Sequence, residues 1–411
     1  MTEQNVATDQ NVATDQNVAT EPTVATGPAR PPGDRPDPTA RPGRRTGAVR
    51  LLAGASVSWL VFVVLHRLLS GRTSLWAPLD LTPPLLFAAL PALLLALVPL
   101  ARPIRWRLVA VLVVAFALGA GLSGINVATL WYRPPPAPPG AVKLLSWNTE
   151  FWDQDWRTGG QRGAADLYRF LREKNADVYL LHEYLHLDDS RTNVDEKAVR
   201  IDMLPQLRQE FPGYQIAVEG EQLTLSRFPI RHQYALDLRP WLPDDLKAVP
   251  AALSGFPASY TTETLRTDIE VAGRVVSFYN AHVHQPPHEF LLFSGDARAA
   301  NRYNHARRDA SYHALRADID ANRNPVVIGS DLNTSPAMGM RRLLPDRLVD
   351  HTSSLSSLYP TTWEAGGLGL WRIDWLLTTP DVAVHEYDLL DPDGLSDHRA
   401  QWVVLSLRLT A

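Results

Sequence analysis

An α/β fold behind a membrane segment is what this sequence predicts, from three observations. Residues 141–411 alternate short apolar runs that read as strands with stretches whose apolar residues recur at helical spacing. Residues 47–132 hold three long apolar segments with few charges. At the strand ends of the C-terminal part stand Asn, Glu, His and Asp, and hardly any Ser or Lys.

Residues 1–46 come first. Asn5-Val-Ala-Thr-Asp-Gln10 recurs at Asn11 and again, decaying, from Asn17, and proline, arginine and glycine follow. With almost nothing to bury, this stretch is expected to be a disordered cytoplasmic tail. Three short polar copies of six residues cannot build a solenoid core.

The three apolar segments run from about Leu51 to Leu69, Leu79 to Leu100 and Leu108 to Tyr132. Read as a membrane domain over 47–132, they form three transmembrane helices. The first needs Arg67 to snorkel to the interface. Prolines 83, 84, 91 and 99 are tolerable in lipid-buried helices. Trp59, Trp76, Trp106, Trp131 and Tyr132 lie mostly near segment ends, as an interfacial aromatic belt requires. Arg41, Arg44, Arg45 and Arg50 before the first span, and Arg102, Arg105 and Arg107 between the second and third, mark the cytoplasmic side. Three crossings then put the remainder outside the cytoplasm. Residues 133–140, Arg-Pro-Pro-Pro-Ala-Pro-Pro-Gly, read as a stiff, extended linker between membrane and domain.

Charge divides the chain. Residues 1–140 carry twelve Arg, no Lys and seven acidic residues, while residues 141–411 carry 28 basic and 37 acidic ones. A domain at −9 is a poor partner for nucleic acid, so none is expected. With no cysteine, thiolate catalysis and Cys-ligated zinc are excluded.

Within 141–411, strands are expected at Val142–Trp147, Val178–Leu181, Phe211–Val218, Leu223–Leu225, Leu265–Val271, Arg274–Tyr279, Val326–Ile328, Ile373–Leu377 and Trp402–Leu407, with helices over Ala165–Arg172 and Ala299–Ala321. In Val326-Val-Ile-Gly-Ser-Asp-Leu-Asn333, Gly329 is read as the turn that ends the strand, with Asp331 and Asn333 just beyond it.

The strand-end residues describe metal-assisted attack on phosphorus. Hard oxygen ligands without thiolate suit Mg²⁺ or Mn²⁺. Glu183, Asn148 and Asp397 are the metal-ligand candidates. His398 can contact a phosphoryl oxygen, with Asp374 on its other nitrogen to fix the tautomer. Asp331 can orient or deprotonate the attacking water. Asn280, Asn333 and His282 are placed on the phosphate oxygens, Asn333 and His282 as donors while charge builds.

In order, Ser146-Trp-Asn148, Leu181-His-Glu183, Leu225-Ser-Arg-Phe-Pro-Ile230, Asn280-Ala-His282, Gly329-Ser-Asp-Leu-Asn333, Arg372-Ile-Asp374 and Leu395-Ser-Asp-His398 resemble the endonuclease/exonuclease/phosphatase superfamily. The resemblance covers essentially 142–409. It implies a four-layer sandwich with two central mixed β-sheets, divalent-metal dependence and phosphoester cleavage, with the residue roles above. His182 stands where that pattern has Gln, and Gly-Ser-Asp-Leu-Asn where it has Gly-Asp-Phe-Asn. Three spans ahead of such a domain resemble the VanJ-type teicoplanin-resistance family of actinomycetes. That likeness implies an extracytoplasmic phosphatase acting on undecaprenyl pyrophosphate, a lipid-carrier partner at the membrane. A surface nuclease, or a non-enzymatic sensor or antibiotic-binding module, are the competing functions.

Some residues stay open at this level. His284 and His288 share His282's neighbourhood and read as cleft or surface residues rather than a second metal site. The loop 239–259 is either a lid or an ordinary connection. Trp363, Trp371 and Trp375 read as core, and Ser226 and Ser396 not as nucleophiles.

Overall fold

The computed structural model describes residues 43–408, except 156–159, 162–163, 189, 191–195, 288–293 and 366. The repeat-bearing tail to residue 42 and His288 therefore lie outside the described residues.

Two six-stranded mixed sheets stack face to face. Their strands, in chain order, are β1 (Val142–Asn148), β2 (Val178–His182), β3 (Gln215–Glu219), β4 (Gln222–Ser226), β5 (Ile230–Asp237), β6 (Thr262–Val271), β7 (Arg274–His282), β8 (Val326–Asp331), β9 (Val349–Asp350), β10 (Asp374–Thr378), β11 (Val382–Leu390) and β12 (Ala400–Leu407). The first sheet runs β11-β12-β1-β2-β4-β3 and the second β9-β10-β8-β7-β6-β5. Each has one parallel pair at its centre, β1 with β2 and β7 with β8, among antiparallel neighbours.

Period-two alternation builds the layers. Leu144, Leu180, Phe278, Val327 and Leu376 face the space between the sheets. Their neighbours Leu145, Tyr179 and Leu181 face outward onto Leu167, Phe170 and Leu171 of the helix Ala164–Lys174. On the opposite side Tyr279, Ile328 and Trp375 pack on Tyr312, Leu315 and Ile319 of the helix Gly295–Ala321. Central strands buried on both faces read as continuous apolar runs, which is why they were visible in the sequence. The layers are helix, sheet, sheet, helix.

Gly329 lies within β8, paired with Asn280 and Leu376, and does not turn the chain. A Cβ there would sit 2.7 Å from Ser146 Cβ and 2.9 Å from Leu180 Cδ1. The glycine is required by close approach of the two sheets. The turn comes later, at Asn333, whose φ is +46°.

The N-terminal part departs from three spans. Among the described residues one helix, Gly47–Leu69 within the longer Gly43–Leu69, is long and apolar enough to cross a membrane. The second expected span begins as helix only at Leu86, after Pro83-Pro84, and its 12 residues to Leu97 rise about 18 Å. The third, Arg105–Ala120, has 16 residues and rises about 24 Å. Both fall short of a hydrocarbon core of about 30 Å. The residues after Ala120 turn back onto the domain instead of continuing the helix: the Asn126 amide donates to Leu355 O at 3.0 Å and Ser357 O at 3.2 Å.

The proline linker is not the domain's sole connection to the apolar helices. Those helices dock on the domain directly, through segments ahead of the linker. His66 Nε2 donates to Ala337 O at 2.9 Å, and Gly339 N donates to Ser70 Oγ at 2.7 Å. Arg342 Nη2 donates to Ser70 O at 2.7 Å, and Trp371 Nε1 to Leu81 O at 3.3 Å. Gly71 packs so tightly on Gly339 and Met340 that a Cβ would lie 2.5 Å from Met340 N.

Candidate active site

Strand register gathers the chemistry at one edge of the sandwich. In the parallel pairs Asn148 stands beside His182, and His282 beside Asp331; across the antiparallel pair Asp331 faces Asp374. These strand ends open into a cavity of about 460 Å³. Its lining includes Asn148, Glu183, His282, Asp331, Asn333 and Asp397, with His398 beside them. Asp374 stands behind His398, fully buried.

Asp331 is the hub. Asn333 N donates to its Oδ1 at 2.8 Å, and Asn148 Nδ2 to its Oδ2 at 3.1 Å. His282 Nε2 and His398 Nε2 each lie 3.6 Å from the same Oδ2. Burial alone would raise this carboxyl, but the two imidazoles and the amide donors outweigh it and hold Asp331 below the usual carboxylate range. His398 Nδ1 is 3.0 Å from Asp374 Oδ2. Burial opposes charge on that ring, yet Asp374 and Asp331 push it up to about 10, so the imidazolium persists at neutral pH. His282 behaves alike: against burial, Glu221 at 2.7 Å, with Asp331 and Glu183 nearby, raises it well above its ordinary value.

The carboxylates make the cavity suited to a divalent cation. Glu183 has φ +60°, which turns its carboxylate back into the cleft. There Asn148 Nδ2 donates to Oε1 at 2.9 Å and Phe151 N to Oε2 at 3.0 Å. Burial, with Glu221 adding to it, pushes Glu183 up to about 7 despite His282. Burial also raises Asp397, whose Oδ2 accepts from Trp363 Nε1 at 2.8 Å. Asp331, Asp374 and His398 form a buried group with ligand atoms within 4.8 Å of one another. Hard carboxylate oxygens in excess of positive charge, with Glu183 raised by burial despite His282, fit a divalent cation of the Mg²⁺ or Mn²⁺ kind.

Two placements, those of Asn280 and Trp363, differ from the expectation. Asn280 does not reach the cavity: its Nδ2 donates to Leu181 O at 3.1 Å and Leu223 O at 3.0 Å, tying the second sheet to the first. Asn148 turns its amide nitrogen to Glu183 and Asp331 while its Oδ1 accepts from Glu150 N at 3.0 Å, so in this arrangement it links the two carboxylates. Trp363 lines the cavity instead of the core. Trp375 is core, at 0 % exposure, and Trp371 meets the apolar helices. The loop 239–259 is a packed cover, with Leu242 and Leu253 in the second sheet's outer core and Trp241 stacked on His313 at 5.4 Å. Ser396 Oγ donates to Asn148 O at 2.8 Å and Ser226 Oγ to Phe228 O at 2.9 Å, so both hydroxyls are held by backbone.

Sequence reasoning missed Glu150, Glu221, Glu263 and Arg307, all of which line the cavity. Glu150 was within reach, two residues beyond Asn148. Glu221 sits in the tight turn between β3 and β4, Glu263 near the start of β6, and Arg307 inside the long helix. No local pattern marks them.

A family model described as "Endonuclease/Exonuclease/phosphatase family" matches residues 145–398. No curated protein matches the chain. Among solved structures, an endonuclease/exonuclease/phosphatase from Bacteroides vulgatus is similar at 14 % identity and TM-score 0.41, over 65 % of this chain and 99 % of that one. The mannosyl-6-phosphatase Bt3783 of Bacteroides thetaiotaomicron is similar at 14 % identity and TM-score 0.45, over 65 % and 100 % of the two chains. A humanized D. rerio TDP2 is similar at 14 % identity and TM-score 0.43, over 65 % and 99 %. With the family model spanning every strand from β1 to the His398 turn, the chain belongs to the endonuclease/exonuclease/phosphatase family of phosphoric-ester hydrolases.

Proposed function

We propose that the protein is a membrane-anchored, extracytoplasmic, divalent-metal-dependent phosphatase that hydrolyses a lipid pyrophosphate at the bilayer surface. Undecaprenyl pyrophosphate is the substrate the sequence resemblance points to, and glycopeptide (teicoplanin) resistance is the phenotype that follows from its turnover. One observation carries the placement. The His66 and Ser70 contacts join the end of the apolar helix to residues 337–342, which begin four residues after Asn333 of the cleft. The four residues from Asn333 to Ala337 reach at most about 14 Å, so the cleft stands near the end of a helix suited to lipid.

The exterior of the helical segment supports an anchor. Leu51, Val61, Leu93, Leu100, Trp106 and Val113 are all exposed. Val49 and Leu52 of the first helix cluster with Val98, Ala101 and Ile104, which puts Arg50 and the Arg102–Arg107 group at the end remote from the domain. Basic residues at that end favour its cytoplasmic placement, and one crossing by Gly47–Leu69 leaves the domain outside.

In the mechanism, Asp331 stays ionised at neutral pH and accepts a hydrogen of the attacking water, orienting its lone pair on phosphorus. Protonated His398, held by Asp374, donates to a phosphoryl oxygen, and His282 and Asn333 donate as charge develops. Glu183 and Asp397, with Asp331 beside them, would hold the cation. A bound divalent cation supplies Lewis-acid polarisation of the phosphoryl group and neutralises its charge.

The test is phosphate release by the purified full-length protein in vesicles. Undecaprenyl pyrophosphate, a nucleoside triphosphate and duplex DNA are offered side by side. The reading expects release from the lipid to exceed both others; DNA degradation as the dominant activity would make the protein a surface nuclease instead.

A further inference from the structure

Arg307 is 2 % exposed and lines the same cavity as Asp331 and His398. One edge of its guanidinium is fixed: Nη2 donates to Glu263 Oε1 at 2.7 Å. Its flat face lies 4.3 Å from the centroid of the Tyr260 ring. Stacking of this kind leaves the in-plane N–H donors for an acceptor at the rim. Two of those nitrogens, Nε and Nη1, have no hydrogen-bond partner among the described residues. Buried guanidinium donors left unmatched cost stability, and binding sites are where such groups persist. Glu263 is kept for this task, because Ser311 Oγ and His284 N also donate to it. Three donors spread its charge, so the ion pair leaves Arg307 able to attract a further anion.

We infer that Arg307 is the subsite for a second phosphoryl group, which makes the cleft selective for diphosphate monoesters over monophosphate monoesters. The inference rests on the lipid-pyrophosphate reading above and adds the residue that recognises the second phosphoryl group. The terminal phosphoryl lies among Asp331, Asn333 and His398, and the proximal one against Arg307. Water oxygen bonds to the terminal phosphorus while the bond from that phosphorus to the bridging oxygen breaks. Asp331 takes the water proton. The bridging oxygen departs on the proximal phosphate, which leaves as an anion and needs no proton from the protein. The products are inorganic phosphate and the monophosphate ester.

Because removing Arg307 alone strands the Glu263 carboxylate, two variants of the full-length protein serve: Arg307→Lys, and Arg307→Met combined with Glu263→Gln. The probes are methylenediphosphonate, which cannot be hydrolysed at the bridge, and inorganic phosphate, both titrated by calorimetry with Mg²⁺ present. The wild type is expected to bind methylenediphosphonate at least about tenfold more tightly than phosphate, and both variants to lose that preference while binding phosphate unchanged. Equal binding of the two probes by the wild type, or a preference that survives in the variants, overturns the subsite. Phosphate affinity also reports that a variant is folded; a variant that loses both ligands together counts against a role confined to the second phosphoryl. The readout is independent of turnover. If no phosphoric ester is hydrolysed by the wild type, the phosphatase reading fails while the subsite is still decided by binding.

Discussion

Asp331 lies between two imidazoles, and that placement decides what all three groups do. It keeps His398 charged, with Asp374 behind it, and the two rings keep Asp331 ionised. Replacing Asp331 with Asn removes the hydrogen acceptor for water and the counter-charge of both rings, so turnover is expected to fall by about 10²-fold or more, read as phosphate release. If Asp331→Ala or His398→Ala cells kept full glycopeptide resistance, catalysis would not underlie that phenotype. The pH dependence follows from the same contacts. His398 is raised, so its charged form is present below its folded value and is lost as pH climbs through about 10; kcat is expected to hold from neutral pH and decline only there. Glu183 is also raised, but it is a carboxylate, so it becomes charged as pH rises. Mn²⁺ affinity is accordingly expected to strengthen as pH increases through about 7, measured by titration calorimetry. A flat affinity between pH 6 and pH 8 would remove Glu183 from the cation site.

At the scale of elements, the strands carried the legible part. Asn148, Glu183, His282, Asp331 and His398 stand at or just beyond the ends of β1, β2, β7 and β8, or immediately before β12. Parallel pairing makes such ends meet, so a list of strand-end residues was already a list of neighbours. Asn280 misled because it shares the strand face of His282 but sits two residues, about 7 Å, deeper between the sheets. There its amide meets carbonyls rather than solvent. Asn280→Ala is expected to cost about 1–3 kcal/mol of stability by leaving those carbonyls unmatched, with phosphate binding by the folded fraction unchanged. Gly329→Ala drives a methyl into Ser146 and Leu180 and is expected to cost about 1–3 kcal/mol, visible as a lower unfolding midpoint. Glu221, Glu263 and Arg307 were invisible because a turn, a strand start and a helix interior bring them in through tertiary packing alone.

At the scale of the molecule, hydropathy counted apolar residues and missed what breaks them into helices. Pro83-Pro84 delays the second helix, and the third ends at Ala120 because the following residues are committed to Leu355 and Ser357. The Gly47–Leu69 helix and its shorter neighbours still carry an apolar exterior, and the contacts of His66 and Ser70 with residues 337–342 pack the end of that helix against the segment after the cleft. A reporter fused after residue 411 is expected to be extracytoplasmic; a cytoplasmic signal would refute the sidedness. The acidic character of residues 141–411 agrees with a cavity that concentrates carboxylates for a cation and meets its anionic substrate through a few buried donors. The most direct measurement of the central claim is phosphate release from undecaprenyl pyrophosphate in vesicles by the full-length protein, with Mg²⁺, with a chelator in its place, and with Asp331→Asn. Release that requires both the cation and Asp331 is the predicted result; release that survives the chelator or the substitution would contradict it.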